Sequence, residues 1–189
     1  MKVLFINPPL TSRRKIWRNF DCSPESKGNY LYQPYDFLLM SSRLPADWPL
    51  EVIDAIADDL SPEQAHAEVC RHDADFIVLA MAETSWADDL QFLRDLRRQF
   101  PELLILVFGD ILIEDSAAAE VEPIADGILV SPFLTDFECF AGLSRAALAD
   151  RRGEFPGLRT DEYYRRKDMK RPQELELGMP RHERFMHPR

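Results

Sequence analysis

The chain has 189 residues, 46% hydrophobic and 30% charged, which fits one globular domain plus an appendage and is too short for two ordinary domains. A net charge of −10 argues against non-specific nucleic-acid binding, which needs a basic surface, and no apolar run approaches the roughly 18 residues of a membrane span. Cys22, Cys70 and Cys139 are scattered and odd in number, so neither a disulfide framework nor a thiolate metal cluster is indicated.

In chain order, Val3-Leu4-Phe5-Ile6 is an unbroken apolar run, as a strand covered on both faces requires. One positive charge and about four apolar residues are too few for a secretory leader, so a cytoplasmic location is expected. Pro8-Pro9 cannot donate to a ladder and ends the strand at Asn7. From Leu10 to Pro34 runs a connection of unusual length, with Arg13, Arg14, Lys15 and Arg18 interleaved with Trp17, Phe20, Tyr30 and Tyr32. Asp36 to Leu44 reads as a helix with Phe37, Met40 and Leu44 on one face. Leu50 to Ala55 is a second strand, and Ser61-Pro62-Glu63-Gln64 opens the next helix as a capping box with proline at its first position.

That helix runs to about His72 and leads to a third strand, Phe76 to Met81. A helix from Trp86 to Phe100 carries Leu90, Leu93, Leu96 and Phe100 at helical spacing and stops at Pro101. Leu103 to Phe108 is the fourth strand, with Gly109-Asp110 at its carboxyl end. A short helix over Ser116 to Val121 precedes the fifth strand, Gly127 to Val130, and a helix from Asp136 to Leu148 closes the set. Alternating apolar strands and amphipathic helices specify a doubly wound α/β domain, a parallel sheet with helices on both faces, with flavodoxin-like strand order 2-1-3-4-5. Beyond residue 149 the apolar periodicity is lost. Residues 151–189 hold 11 Lys/Arg against 7 Asp/Glu, so 150–189 reads as a basic extended arm or linker.

Ligands of open parallel sheets bind beyond the carboxyl ends of the strands, which nominates the five loops there. Glycines that would let backbone approach a pyrophosphate are missing after the first strand, where prolines stand, so dinucleotide folds and phosphate-binding loops are excluded. Ala80-Met81-Ala82 at the end of the third strand excludes a phosphoryl-accepting receiver. His66 and Cys70 are one helical turn apart, a conceivable metal pair, but the ordinary reading is a packed cysteine and a surface histidine. Thr84 and Ser85 suit ligand hydrogen bonds, although Ser85 before a helix is more ordinarily a cap. Asp54, Asp58 and Asp59 read as a solvated acidic helix entry. No nucleophile and base pair stands out, so the domain lacks an active site of its own.

Asn7-Pro8-Pro9 closing the first strand, the long loop after it and Asp54-Ala55 at the end of the second resemble the N-terminal cobalamin-binding-type domain of cobalamin-dependent radical S-adenosylmethionine enzymes. The similarity covers nearly the whole chain; Phe155 to Arg159 and Met179 to Phe185 look like the segment joining that domain to the radical barrel. The resemblance implies a cobalamin whose corrin lies across the carboxyl edge of the sheet, with its nucleotide tail near the loops after strands one, three, four and five. By position this nominates Pro8, Pro9, Thr84, Ser85, Gly109, Asp110, Ser131 and Pro132. It also implies a [4Fe-4S] cluster and S-adenosylmethionine in a barrel that would be the partner, in cis or in trans. The Cys-x-x-x-Cys-x-x-Cys of such barrels does not occur in this chain, and 189 reads as a cut in mid-linker.

Two departures from the family motivate an alternative. Asp110 follows Gly109 where many members have a second glycine, and Val130-Ser131-Pro132-Phe133 replaces a Gly-Glu-Gly-Glu stretch. Side chains there crowd the backbone a cofactor tail must approach. The alternative is a degenerate scaffold without cofactor, acting as a protein-interaction module through the arm or the basic loop Arg13 to Arg18. A stand-alone small-molecule enzyme is the weakest of the three readings, for want of catalytic groups.

Overall fold

The sheet is built from short, mostly apolar runs, all buried throughout except the edge strand that begins at the half-buried Leu50 and Glu51. The computed structural model describes residues 1–12, 15, 16, 18, 34–129, 135, 137–151, 158 and 159. Among them, five strands form one parallel sheet: β1 (Val3–Asn7), β2 (Leu50–Asp54), β3 (Phe76–Ala80), β4 (Leu104–Phe108) and β5 (Gly127–Leu129). Their order is β2-β1-β3-β4-β5, the flavodoxin-like order expected.

Period-two alternation sorts the strand side chains into two different cores. Val3 and Phe5, Phe76 and Val78, and Leu106 and Phe108 face α1 (Tyr35–Arg43) and a layer of aromatic rings. Phe5 and Phe37 lie 5.2 Å apart and Phe76 and Phe137 6.2 Å apart, in the offset and tilted arrangements aromatic rings prefer. Leu4 and Ile6, Ile77 and Leu79, and Ile105 and Val107 face a mostly aliphatic layer. That layer comes from α2 (Pro62–His72), α3 (Trp86–Gln99) and α4 (Asp115–Val121).

The capping box that opens α2 is present. The Ser61 hydroxyl accepts from Gln64 N, and the Gln64 side chain accepts from Ser61 N at 2.8 Å. The helix expected from Asp136 to Leu148 is instead interrupted. Its described part is a 3-10 turn, Phe137–Phe140, that buries both rings, followed by Gly142 at φ 68. That left-handed residue ends the turn without a Cβ penalty, and α5 (Arg145–Arg151) restarts behind Ser144, whose hydroxyl accepts from Ala147 N.

At the amino ends of β4 and β5, Asp126 is a buried rivet. Its carboxylate accepts from Ile105 N at 2.7 Å, from Arg97 Nη2 at 2.6 Å and from Arg145 Nε at 2.6 Å, tying α3 and α5 to the sheet. Arg97 also donates to the carbonyls of Ile124 and Leu103, both at 2.8 Å, and more weakly to those of Phe100 and Pro101.

Two described residues of the segment expected as an arm return to the sheet. Leu158 bridges Leu129 antiparallel, and Arg159 N donates to Ile128 O at 2.8 Å, covering the edge that β5 would otherwise expose. Leu158 is buried, and a Cβ at Gly127 would stand 2.8 Å from its Cδ2, so the glycine makes room for it. Arg159 Nη1 then donates to Leu112 O at 2.5 Å, and its Nη2 pairs with Asp115. Leu158→Ala is expected to lower the unfolding free energy by about 2 kcal/mol, the lower end of the cost of emptying a buried leucine site. Urea denaturation reads it, and an unchanged midpoint would mean that Leu158 is not docked in solution.

Candidate functional site

The loops at the carboxyl ends of β1 and β3 flank the point where the winding reverses, and the loop after β4 lies one strand further along the same edge. The ends of β1 and β2 carry polar side chains to this edge. Asn7 closes β1 and stands in register with Asp54, which closes β2. In a parallel pair such residues end at one level, and the Asn7 Nδ2 donates to Asp54 Oδ1 at 2.8 Å. Asp54 Oδ1 also accepts from Ala57 N at 3.2 Å, which folds the turn after β2. On the other side of β1, a 3-10 turn over Glu83–Ser85 follows β3 and opens α3.

A second carboxylate lies there, in the first turn of α3. Asp89 is fully buried and accepts four hydrogen bonds. Ser85 Oγ donates at 2.6 Å, Ala82 N at 3.0 Å, Arg18 Nη2 at 2.5 Å and Arg18 Nε at 3.2 Å. The side chain of Arg18 is 3% exposed and that of Asp89 0%, so this ion pair is sealed from solvent. Arg18 Nη1 reaches on to Asn7 Oδ1 at 2.6 Å. The result is one continuous polar chain across three strand ends, from Ala57 through Asp54, Asn7, Arg18 and Asp89 to Ser85. Beside it, Thr11 Oγ1 donates to Asp88 Oδ1 at 2.6 Å, and Leu10, Ile16 and Ile56 form a small apolar cluster apart from the two main cores.

Burial pushes the Asp89 carboxyl above its ordinary value of 3.8. The charge of Arg18 and the donors Arg18, Ser85 and Ala82 N act in the opposite sense. The arginine is thus what makes a buried carboxylate tolerable at this edge.

The residues nominated from sequence fall into three groups. Pro8 and Pro9 are buried behind Asn7, and Ser85 is buried on Asp89; these three line the edge. Thr84 and Asp110 are exposed and Gly109 half-buried, all at the same end of the sheet after β3 and β4. Ser131 and Pro132 lie outside the described residues. Ser85 makes no side-chain cap, because its hydroxyl is committed to Asp89 four residues on. Asp54 is not part of a solvated entry. It is buried on Asn7, while Asp58 and Asp59 are exposed.

The reading of His66 and Cys70 is reversed. Cys70 is exposed and accepts from Gln99 Nε2 at 2.9 Å, whereas the His66 ring packs 4.4 Å from that of Phe92. Burial lowers the His66 pKa, with Asp95, Gln99 and Glu63 opposing it. Among the described residues no three His, Cys, Asp or Glu side chains come together as metal ligands.

Arg18 and Asp89 were missed as site residues. The readable signal was Asp89 itself, which shares its helical face with Leu93 and Leu96, where a carboxylate needs a partner. Nothing along the chain says that the partner is Arg18, 71 positions away.

No protein-family model and no curated protein matches the chain. Among the described residues no helix is long and apolar enough to cross a membrane.

Arg18→Ala is expected to cost about 3 kcal/mol of stability at neutral pH, because it strands a buried carboxylate. The variant also raises the folded-state pKa of Asp89 further. A raised carboxyl stabilises the fold fully below its unfolded value and loses that contribution as pH rises through the folded value. The gap between wild type and variant therefore narrows as pH falls toward 4. Denaturant titrations at neutral and mildly acidic pH measure it, and a gap independent of pH would remove Asp89 as its cause.

Proposed function

We propose that the chain is a cobalamin-binding-type domain that holds a corrin over the carboxyl edge of its sheet for a radical S-adenosylmethionine barrel, without performing chemistry itself. What supports the reading is that the loops bearing Pro8, Pro9, Thr84 and Ser85 flank the β1/β3 reversal, with Gly109 and Asp110 after β4 at the same end of the sheet. Among the described residues, two large hydrophobic side chains are left exposed, and they favour a flat, partly apolar ligand there. Tyr35, 47% exposed, opens α1 in one helical layer, and Ile113, 54% exposed, precedes α4 in the other, so they flank the edge from both sides.

In this assignment Gly109 leaves the end of β4 free of a side chain, and Thr84 and Asp110 offer exposed polar groups to corrin amides. The two buried prolines give the β1 loop a fixed floor. A bound cobalamin would supply the cobalt chemistry. This chain's residues would bind and orient it, and the barrel, in cis or in trans, would supply the iron–sulfur cluster and S-adenosylmethionine.

One observation favours a second reading, a scaffold that has lost its cofactor and serves as an interaction module. Arg18 fills the crevice between β1 and β3 from within. It is also turned inward, away from any partner surface, which leaves Lys15 as the exposed described cation of the basic loop.

Mixing the protein with hydroxocobalamin at tens of micromolar and running gel filtration separates the readings. A visible absorption band co-eluting with the protein is the expected result. Its absence, with the protein folded by circular dichroism, would transfer the assignment to the interaction module.

A further inference from the structure

Helices α2 and α3 meet along a seam that is apolar within and closed by an imidazole at its side. Ala65 and Val69 of α2 and Phe92, Leu93 and Leu96 of α3 are buried in the aliphatic core layer. His66, next to Ala65 on α2, is turned toward α3, where its ring lies 4.4 Å from that of Phe92 at an interplanar angle of 31°. Both ring nitrogens are closed off from solvent, and neither has a hydrogen-bond partner among the described residues. A neutral imidazole carries one N–H and one bare nitrogen, so a donor and an acceptor are both left unsatisfied in a buried setting. Buried polar atoms in that state are uncommon and costly.

An apolar side chain at this position would pack on Phe92 without that cost. What histidine adds is a charge that can be switched on near neutral pH. The polar groups facing the ring are Asp95 and Gln99 from α3 and Glu63 from α2, with Cys70 one helical turn on. Each is engaged elsewhere. Asp95 accepts from Gln91 Nε2 at 3.0 Å and pairs with Arg98 at 2.5 Å, Glu63 Oε2 accepts from Ser61 Oγ at 2.7 Å, and Gln99 Nε2 donates to Cys70 Sγ at 2.9 Å. Burial therefore outweighs the two carboxylates, and an imidazolium is disfavoured for as long as the ring stays on Phe92. Water outside the seam can satisfy both of its N–H groups.

We propose that His66 is a pH-sensitive joint between α2 and α3: neutral, its ring seals the seam against Phe92; protonated, it swings out to solvent and α2 loosens from α3. The joint is independent of any cofactor at the carboxyl edge of the sheet.

The folded-state pKa of the ring lies below its ordinary value of 6.5. Between the two values the unfolded chain binds a proton that the folded chain does not. The stability that the neutral ring contributes is thus fully present above 6.5 and is lost as pH falls through the folded value.

Two measurements on the full chain test the joint. Proton NMR follows the His66 ring, assigned by the signal missing from His66→Phe, through a pH titration of the folded protein and of the protein in urea. The folded midpoint should lie below the one in urea. Amide hydrogen exchange at pH about 8 and about 5.5, each amide referred to its intrinsic rate, reads the opening. In wild type the amides of Val69 and Cys70 should lose protection at the lower pH, and those of the central strand β3 should lose less. In His66→Phe, or in His66→Leu should the larger ring not be accommodated, the pH-dependent loss in α2 should be absent.

A folded midpoint at or above the urea midpoint overturns the joint. It is overturned as well by α2 protection that is the same at both pH values in wild type, or by a loss that persists in the variants. An equal loss in α2 and β3 would mean that the whole domain opens, and would overturn the local release of α2.

Discussion

The carboxyl edge of this domain is organised around the cost of ionising Asp89 inside it. A carboxylate with no solvent exposure is unstable unless its oxygens are hydrogen-bonded and its charge is met. Ser85 and Ala82 N supply hydrogen bonds but no charge. The charge has to come from outside the helix and its turn, and it comes from the loop after β1. That requirement fixes where the described part of the loop lies. Leu10, Thr11 and Ile16 follow Arg18 onto the same end of the sheet, and the small cluster with Ile56 forms because the arginine has brought them there.

The opposite end of the sheet solves the same problem with different mechanics. Asp126 is also buried, but both of its arginines are carried by helices, Arg97 by α3 and Arg145 by α5, and Ile105 N is a strand amide. Releasing it would mean moving whole elements against the hydrophobic layers. At Asp89 the cation is carried by a loop, not by a helix. The two carboxylates are chemically alike, but the cations at the amino end are carried by helices and the one at the carboxyl end by a loop. Ligands of parallel sheets bind at the carboxyl end.

Strands and their order were legible because both faces of the sheet are covered, so most strands appear as unbroken apolar runs, β2 with Glu51 as the exception, with helical patterns between. The α2 capping box was legible because it is contained within four residues. The interrupted last helix was misread because Phe137, Phe140 and Leu148 keep an apolar spacing that survives the break at Gly142. His66 and Cys70 were assigned the wrong way round because residue-type averages rank a free cysteine as more buried than a histidine, and the α2/α3 contact with Phe92 overrides them. The polar chain at the carboxyl edge was only partly visible. Its members Asn7, Asp54 and Ser85 stand at strand ends, where chemistry is sought, but the residue that joins them sits in a long loop with no periodicity. Its role depends on a contact between distant positions, which no local pattern encodes.

Asn7 shows how tightly the pieces at this edge constrain each other. It must offer a donor to Asp54 and an acceptor to Arg18 at once, and a side-chain amide is the short group that has both. An aspartate in its place would put two carboxylates in contact across β1 and β2 and would draw Arg18 into sharing one charge among three acids. A leucine would remove the Asn7 donor from Asp54 and the Asn7 acceptor from Arg18 Nη1 in a buried setting. The two prolines that follow place no N–H at this edge, so the loop's backbone adds no competing donors to the carboxylates. Asn7-Pro8-Pro9 therefore contributes one donor and one acceptor at the reversal of the sheet and a rigid floor beyond it. The arginine can then be held across that reversal by a single amide on one side and a single carboxylate on the other.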